Sequence, residues 1–219
     1  MIKEVEITIP TSYADIPLRR WLDLQKEVDN YKDNEEAIGA ITIQYLCGLD
    51  PKYLQALPAD AYKTIRDELN SFIGNVELPL KKFITIAGVE YGIEPNLSKM
   101  SYGAYADISK YDVITMDTNW AKIMNILYRP VTKKAGDMYS IQRYEGNHQW
   151  EKWLDVGMDT HFGSLFFFLD LQINLFSSIL NSLKVEDLHP NIKQILARNG
   201  APMQQLLNLQ KMTSYDLIK

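Results

Sequence analysis

Apolar residues recur along this chain with two periods. Over most of its length they fall three and four residues apart, the repeat of an amphipathic helix; in short stretches they alternate, the repeat of a strand. Val5-Glu6-Ile7-Thr8-Ile9 is alternating and β-branched, and predicts a strand that Pro10 ends. Leu18, Trp21, Leu22 and Leu24 predict a helix running to about Asn30. Glu35 and Glu36 open a second helix, where acids complement the positive end of the helix dipole. Ile38, Ile41, Tyr45 and Leu46 form its stripe and Gly48 ends it. Pro51 and Pro58 each mark a helix start, where a missing N–H costs nothing. Ile65, Leu69, Phe72 and Ile73 stripe a helix from about Ala59 to Phe72, closed by Gly74.

Between Leu78 and Glu94 the period shifts to two. Phe83, Ile84 and Ile86, then Val89, Tyr91 and Ile93, flank Ala87-Gly88 and predict a β-hairpin. Helical spacing returns at Ser101–Lys110 and Asn119–Tyr128, and Arg129-Pro130 is read as the stop of the latter. Thr132–Glu145 is polar and reads as a loop or hairpin, followed by a short helix from Trp150 to Val156. The most apolar run, Gly163–Leu183, is interrupted by Asp170, Gln172, Asn174 and Asn181. It therefore predicts a buried helix over Leu165–Leu183, capped by Asp159 and Thr160, in place of a membrane span. Helices at about Asn191–Arg198 and Pro202–Lys211 complete the reading. The fold class is mainly α with small β-hairpin elements.

Val5-Glu6-x-x-Ile9 recurs as Val89-Glu90-x-x-Ile93, and Trp21–Lys26 falls on Tyr105–Lys110 at the same offset. The pattern outlines an internal duplication of a strand–helix–helix unit, against which stands chance likeness between two pairs of amphipathic helices. On that reading the chain divides into residues 1–76, residues 77–160 as the second copy, and residues 161–219 as C-terminal helices packed on the same body.

Composition narrows the function classes. The chain has 219 residues, 46% hydrophobic and 23% charged, which is the balance of a folded globular protein. At that length it needs no disulfide or metal to fold, and Cys47 is its single cysteine. The first ten residues lack an apolar core and a small-residue cleavage site, so no export signal is expected, and the sequon Asn96-Leu97-Ser98 is read as silent. A net charge of −5 argues against a broad nucleic-acid face. The basic pairs Arg19-Arg20, Lys81-Lys82 and Lys133-Lys134 are too short to restore one, although Lys133 and Lys134 interleave with aromatics as in a stacking surface.

No catalytic, cofactor or metal motif is found. His148, His161 and His189 are not at ligand spacing, and HExxH, CxxC, GxGxxG, GxxxxGK[ST] and GxSxG are all missing. Cys47 sits on an apolar stripe and reads as an inert buried thiol. Asp155, Asp159, His161 and Asp170 lie near one another in sequence and form the one candidate polar site, with helix capping as the plainer role. Protein–protein contact remains as the main class, because Tyr, Trp, Met and Arg concentrate at interface cores. Tyr139, Arg143, Tyr144, Trp150 and Trp153 are the interface candidates, either as an exposed recognition loop or as anchors fastening a long loop to the body.

Four stretches carry a resemblance: ITIPTSYADIPLRRWLDLQK, AITIQYLCGLDPKYLQALP, MSYGAYADISKYD with NWAKIMNILYRPV, and HFGSLFFFLDLQINLFSSILNSL. Together they resemble a group of tailed-bacteriophage tail or baseplate assembly proteins and small virion structural proteins, including those of gut Bacteroidetes phages. The likeness lies in hydrophobic patterns with a few fixed polar residues, and brings no catalytic residue. It implies a non-enzymatic structural ring or connector component, or an assembly chaperone, in the virion or in the host cytoplasm during assembly. The implied partners are other phage structural proteins or further copies in a ring, with no membrane. The alternative is a nucleic-acid-binding accessory protein of a phage.

Overall fold

The computed structural model describes residues 6–31, 34–74 and 78–182, with side chains described to residue 174. The helices expected near 191–198 and 202–211 lie outside the described residues.

Local signals place most elements. Helix α1 (Leu18–Val28) starts behind Pro17, and α2 (Glu35–Cys47) starts at Asn34, whose side chain accepts from the Ala37 amide. Gly48 closes α2 in the left-handed conformation that glycine adopts freely. Arg20 lays its guanidinium over that end, donating to the Leu46 carbonyl at 2.8 Å, where a cation offsets the helix dipole. The short α3 (Pro51–Leu54) and then α4 (Ala59–Ile73) follow their prolines.

The predicted hairpin forms β1 (Phe83–Ile86) and β2 (Val89–Ile93), joined through Ala87-Gly88. After α5 (Tyr102–Ile108) and α6 (Trp120–Leu127), the chain passes straight into β3 (Tyr128–Ala135), which returns as β4 (Met138–Ile141). The four strands form one antiparallel sheet in the order β1-β2-β3-β4. Helix α7 spans Met158–Ser182 behind a 3-10 turn at Trp150–Asp155. Among the described residues no helix is long and apolar enough to cross a membrane. The mainly α architecture with a small β component thus holds.

Three local expectations need correction. Glu6–Ile9 form no strand; they lead into a 3-10 turn at Tyr13–Asp15, with Ile7 and Ile9 packed on the core. Alternation reports which side faces the core, and does not supply a strand to pair with. The two repeat segments therefore differ in topology, since β2 is paired on both sides. The helix expected to end ahead of Arg129-Pro130 does so, α6 stopping at Leu127 with Tyr128 as its cap, and Pro130 sits inside β3 opposite Tyr91. Asp159 and Thr160 do not cap α7 but lie within its first turns.

One cluster of buried residues runs from Tyr13 to Phe168 and draws on all three segments of the chain. Its centre is α6, where Trp120, Ala121, Ile123, Met124 and Leu127 have no exposed surface. Buried Asn125 is the polar hub of this helix. Its amide donates to the Asn147 side chain and the His148 carbonyl, and its oxygen accepts from Trp153 Nε1 at 3.1 Å. A buried donor or acceptor left unmatched costs about 1–3 kcal/mol, so these bonds fix the path of residues 146–153.

Two close approaches lock α7 onto the body. Pro17 and Gly157 form a β-bridge, with Leu18 N–H donating to Val156 and Met158 N–H donating to Ile16. Farther along, a Cβ at Gly163 would lie 2.6 Å from the Pro79 carbonyl oxygen, a backbone atom. Alanine for glycine in an exposed helix interior gains about 1 kcal/mol. Here the sign should invert: Gly163→Ala is expected to cost about 2 kcal/mol through overpacking. Urea unfolding checks it, and a midpoint at or above wild type would show that the 78–80 segment yields.

Candidate functional site

A groove of about 2220 Å³ opens between α1, α2, α4 and α7. Its α7 wall is Phe162, Leu165, Phe166, Leu169 and Ile173, which helical spacing places on one face. All five are only half-buried, although a helix apolar on several sides is normally covered. Facing them are Trp21 and Val28 of α1, Ile38 of α2, and Tyr62, Leu69 and Ile73 of α4.

Edge-to-face aromatic packing sets the floor. The Phe162 ring lies 5.1 Å from both Tyr13 and Trp21, and Phe166 stacks on Phe162 at 5.9 Å. Tyr13 also meets Phe72 edge-on at 5.5 Å and donates its hydroxyl to the Ile73 carbonyl at 2.7 Å. Burial pushes the Tyr13 phenol up to about 12, so it stays protonated and serves as a tie between α4 and the floor. Small-molecule sites usually measure about 300–1,000 Å³. A helix about 11 Å across fills roughly 140 Å³ per residue, so this groove matches some 15 residues of helix.

Of the sequence-selected polar residues, Asp155 and Asp159 share one cleft, while His161 and Asp170 stand apart from it. Asp155 holds a bidentate ion pair with Arg19 at 2.7 and 2.9 Å, on the surface. Asp159 pairs with Lys81 beside it, and both acids line a shallow cleft of about 460 Å³ against β1. His161 is fully buried elsewhere, with Nε2 3.1 Å from the Trp153 carbonyl; burial lowers its pKa to about 4 and keeps it neutral. Asp170 lies two turns further on, at the groove. Among the described residues no three His, Cys, Asp or Glu gather as a metal would need. Burial also pushes the Cys47 thiol up to about 11, away from thiolate chemistry.

The interface candidates behave mostly as anchors. Trp153 has no exposed surface and packs on Tyr91 and Tyr128, so it is a core residue and no docking residue. Tyr139 lies across Gly92 in the sheet, touches Phe83 at 4.6 Å and donates to the Ile93 carbonyl at 2.7 Å. Tyr144 donates to Asp107, and Trp150 is half-buried beneath the Lys122 ammonium. Of the five, only Arg143 is exposed. Of the two roles open to Met138–Trp153, loop fastening is the one these four aromatics perform.

Sequence reasoning did not single out the groove. Its one trace was the run Leu165-Phe166-Phe167-Phe168-Leu169, more apolar than one buried stripe requires. Tyr102 and Tyr105 of α5 also escaped notice as surface residues, at 84% and 61% exposed. No protein-family model, characterised protein or solved structure matches the chain.

Proposed function

We propose that this protein is a non-enzymatic bacteriophage tail or virion protein that holds a segment of another phage structural protein in the groove between α1, α2, α4 and α7. The observation that carries the contact role is the groove itself, with its half-buried apolar wall and polypeptide-sized volume. Interfaces of stable complexes centre on such aromatic and aliphatic surface. The phage setting rests on the resemblance of the four stretches described above. A ring or connector subunit would remain in the particle, whereas an assembly chaperone would act in the host cytoplasm and leave. The nucleic-acid alternative gains no support from the basic pairs: Arg19, Lys81 and Lys134 are each tied to an acid.

The test is co-expression with the products of neighbouring phage structural genes. Retention of one such protein by the wild type, and its loss with Phe166→Asp at unchanged circular dichroism, is the expected result. Retention of none, or retention indifferent to the groove, would overturn the reading. Mass spectrometry of purified particles then separates the two roles, since stoichiometric detection excludes the chaperone.

A further inference from the structure

The charge around the groove is uneven. Its lining includes six acids, Asp23, Asp29, Glu35, Glu36, Asp117 and Asp170, against two bases, Lys26 and Arg66. All eight are exposed, so they form a rim above the apolar floor. The whole chain has 28 acids and 23 bases, which leaves 22 acids and 21 bases elsewhere. Nearly all of the protein's net negative charge therefore stands at this one opening. The acids come from α1, its following turn, α2, the segment before α6, and α7, so the acidity belongs to the groove rather than to a single helix face.

We infer that the groove's occupant is a cationic amphipathic helix of a partner protein. This rests on the docking role proposed above and adds the partner's chemistry. An apolar stripe would lie on Phe162, Phe166 and Leu169, and flanking Lys or Arg side chains would meet the acidic rim. Such complementarity raises association rate and rejects wrong partners, and salt screens it. A second copy of this chain presenting the same face would set acid against acid. Residues 183–219 of this chain, with five bases and three acids, are the competing source.

The probes are two designed helices of about 15 residues with the same leucine stripe, one flanked by lysine and the other by glutamate. They are added to the full chain carrying p-benzoylphenylalanine in place of Leu169. The lysine probe is expected to bind at least roughly tenfold more tightly than the glutamate probe and to crosslink at position 169. Its affinity should fall roughly tenfold between about 50 and 300 mM salt, and fall again with Asp23→Lys and Glu36→Lys, exposed sites whose change spares the core. Equal binding of both probes would overturn the cationic partner while leaving the docking role intact. Binding of neither would remove both. A crosslink from position 169 into residues 183–219 or into a second copy, persisting with the lysine probe present, would assign the groove to that occupant and overturn the inference.

Discussion

Trp153→Ala is expected to lower stability by about 4 kcal/mol, the range for emptying a fully buried tryptophan site. The indole fills the space between Tyr91 and Tyr128 and has no exposed surface. Its loss also leaves Asn125 Oδ1 without the donor it now has at 3.1 Å. Set against the usual margin of about 5–15 kcal/mol, one substitution would remove a large share. Trp153→Phe separates the terms: it keeps most of the volume and loses the N–H, so about 2 kcal/mol is expected. Urea unfolding followed by far-ultraviolet circular dichroism measures both. A cost under about 1 kcal/mol for the alanine variant would mean that residue 153 does not sit in the core.

Stability should also fall with pH in a window set by His161. The ring is fully buried and neutral, with its pKa near 4, whereas an unfolded histidine titrates near 6.5. Between those values the unfolded chain binds a proton that the folded chain refuses, so the stabilisation present above pH 6.5 declines as pH falls and is gone near pH 4. The full span is worth about 3 kcal/mol. Asp15, Asp50 and Asp107 are held below the ordinary carboxylate value, by hydrogen bonds from Thr11 and by Lys52 and Lys110 respectively. Their stabilisation is lost only at lower pH, so the histidine window stands apart. His161→Gln keeps a donor for the Trp153 carbonyl and cannot titrate. Its stability should be flat from pH 6.5 to 4 where the wild type slopes, and parallel curves would assign the slope to another group.

Much of the fold was legible in the chain because its signals are local. Asn34, Pro51, Pro58, Gly48 and Gly74 each act within one turn of a helix end, and the helices end where those residues stand. The hairpin through Ala87-Gly88 is equally local, with both residues at positive φ. What failed depended on distant partners. Glu6–Ile9 has strand-like alternation, but among the described residues no strand stands beside it. Whether the Trp153 ring faces solvent or Asn125 is decided by a helix 28 residues earlier. The groove is less legible still, because its walls come from four helices and its acidic excess appears only once they are assembled. Composition reported the net charge of −5 and was silent on where it stands.

The Pro17–Gly157 bridge and the Arg19–Asp155 ion pair join residues about 140 positions apart, and α1 rests on that junction. During synthesis α1 emerges early and then waits for the segment that holds its N-terminal end. Closing so long a loop costs entropy before any contact repays it, which slows folding. The first helices are thus expected to sit exposed, with their apolar faces uncovered, until synthesis has passed Gly157. Protection of the nascent chain by folding helpers would matter most in that interval.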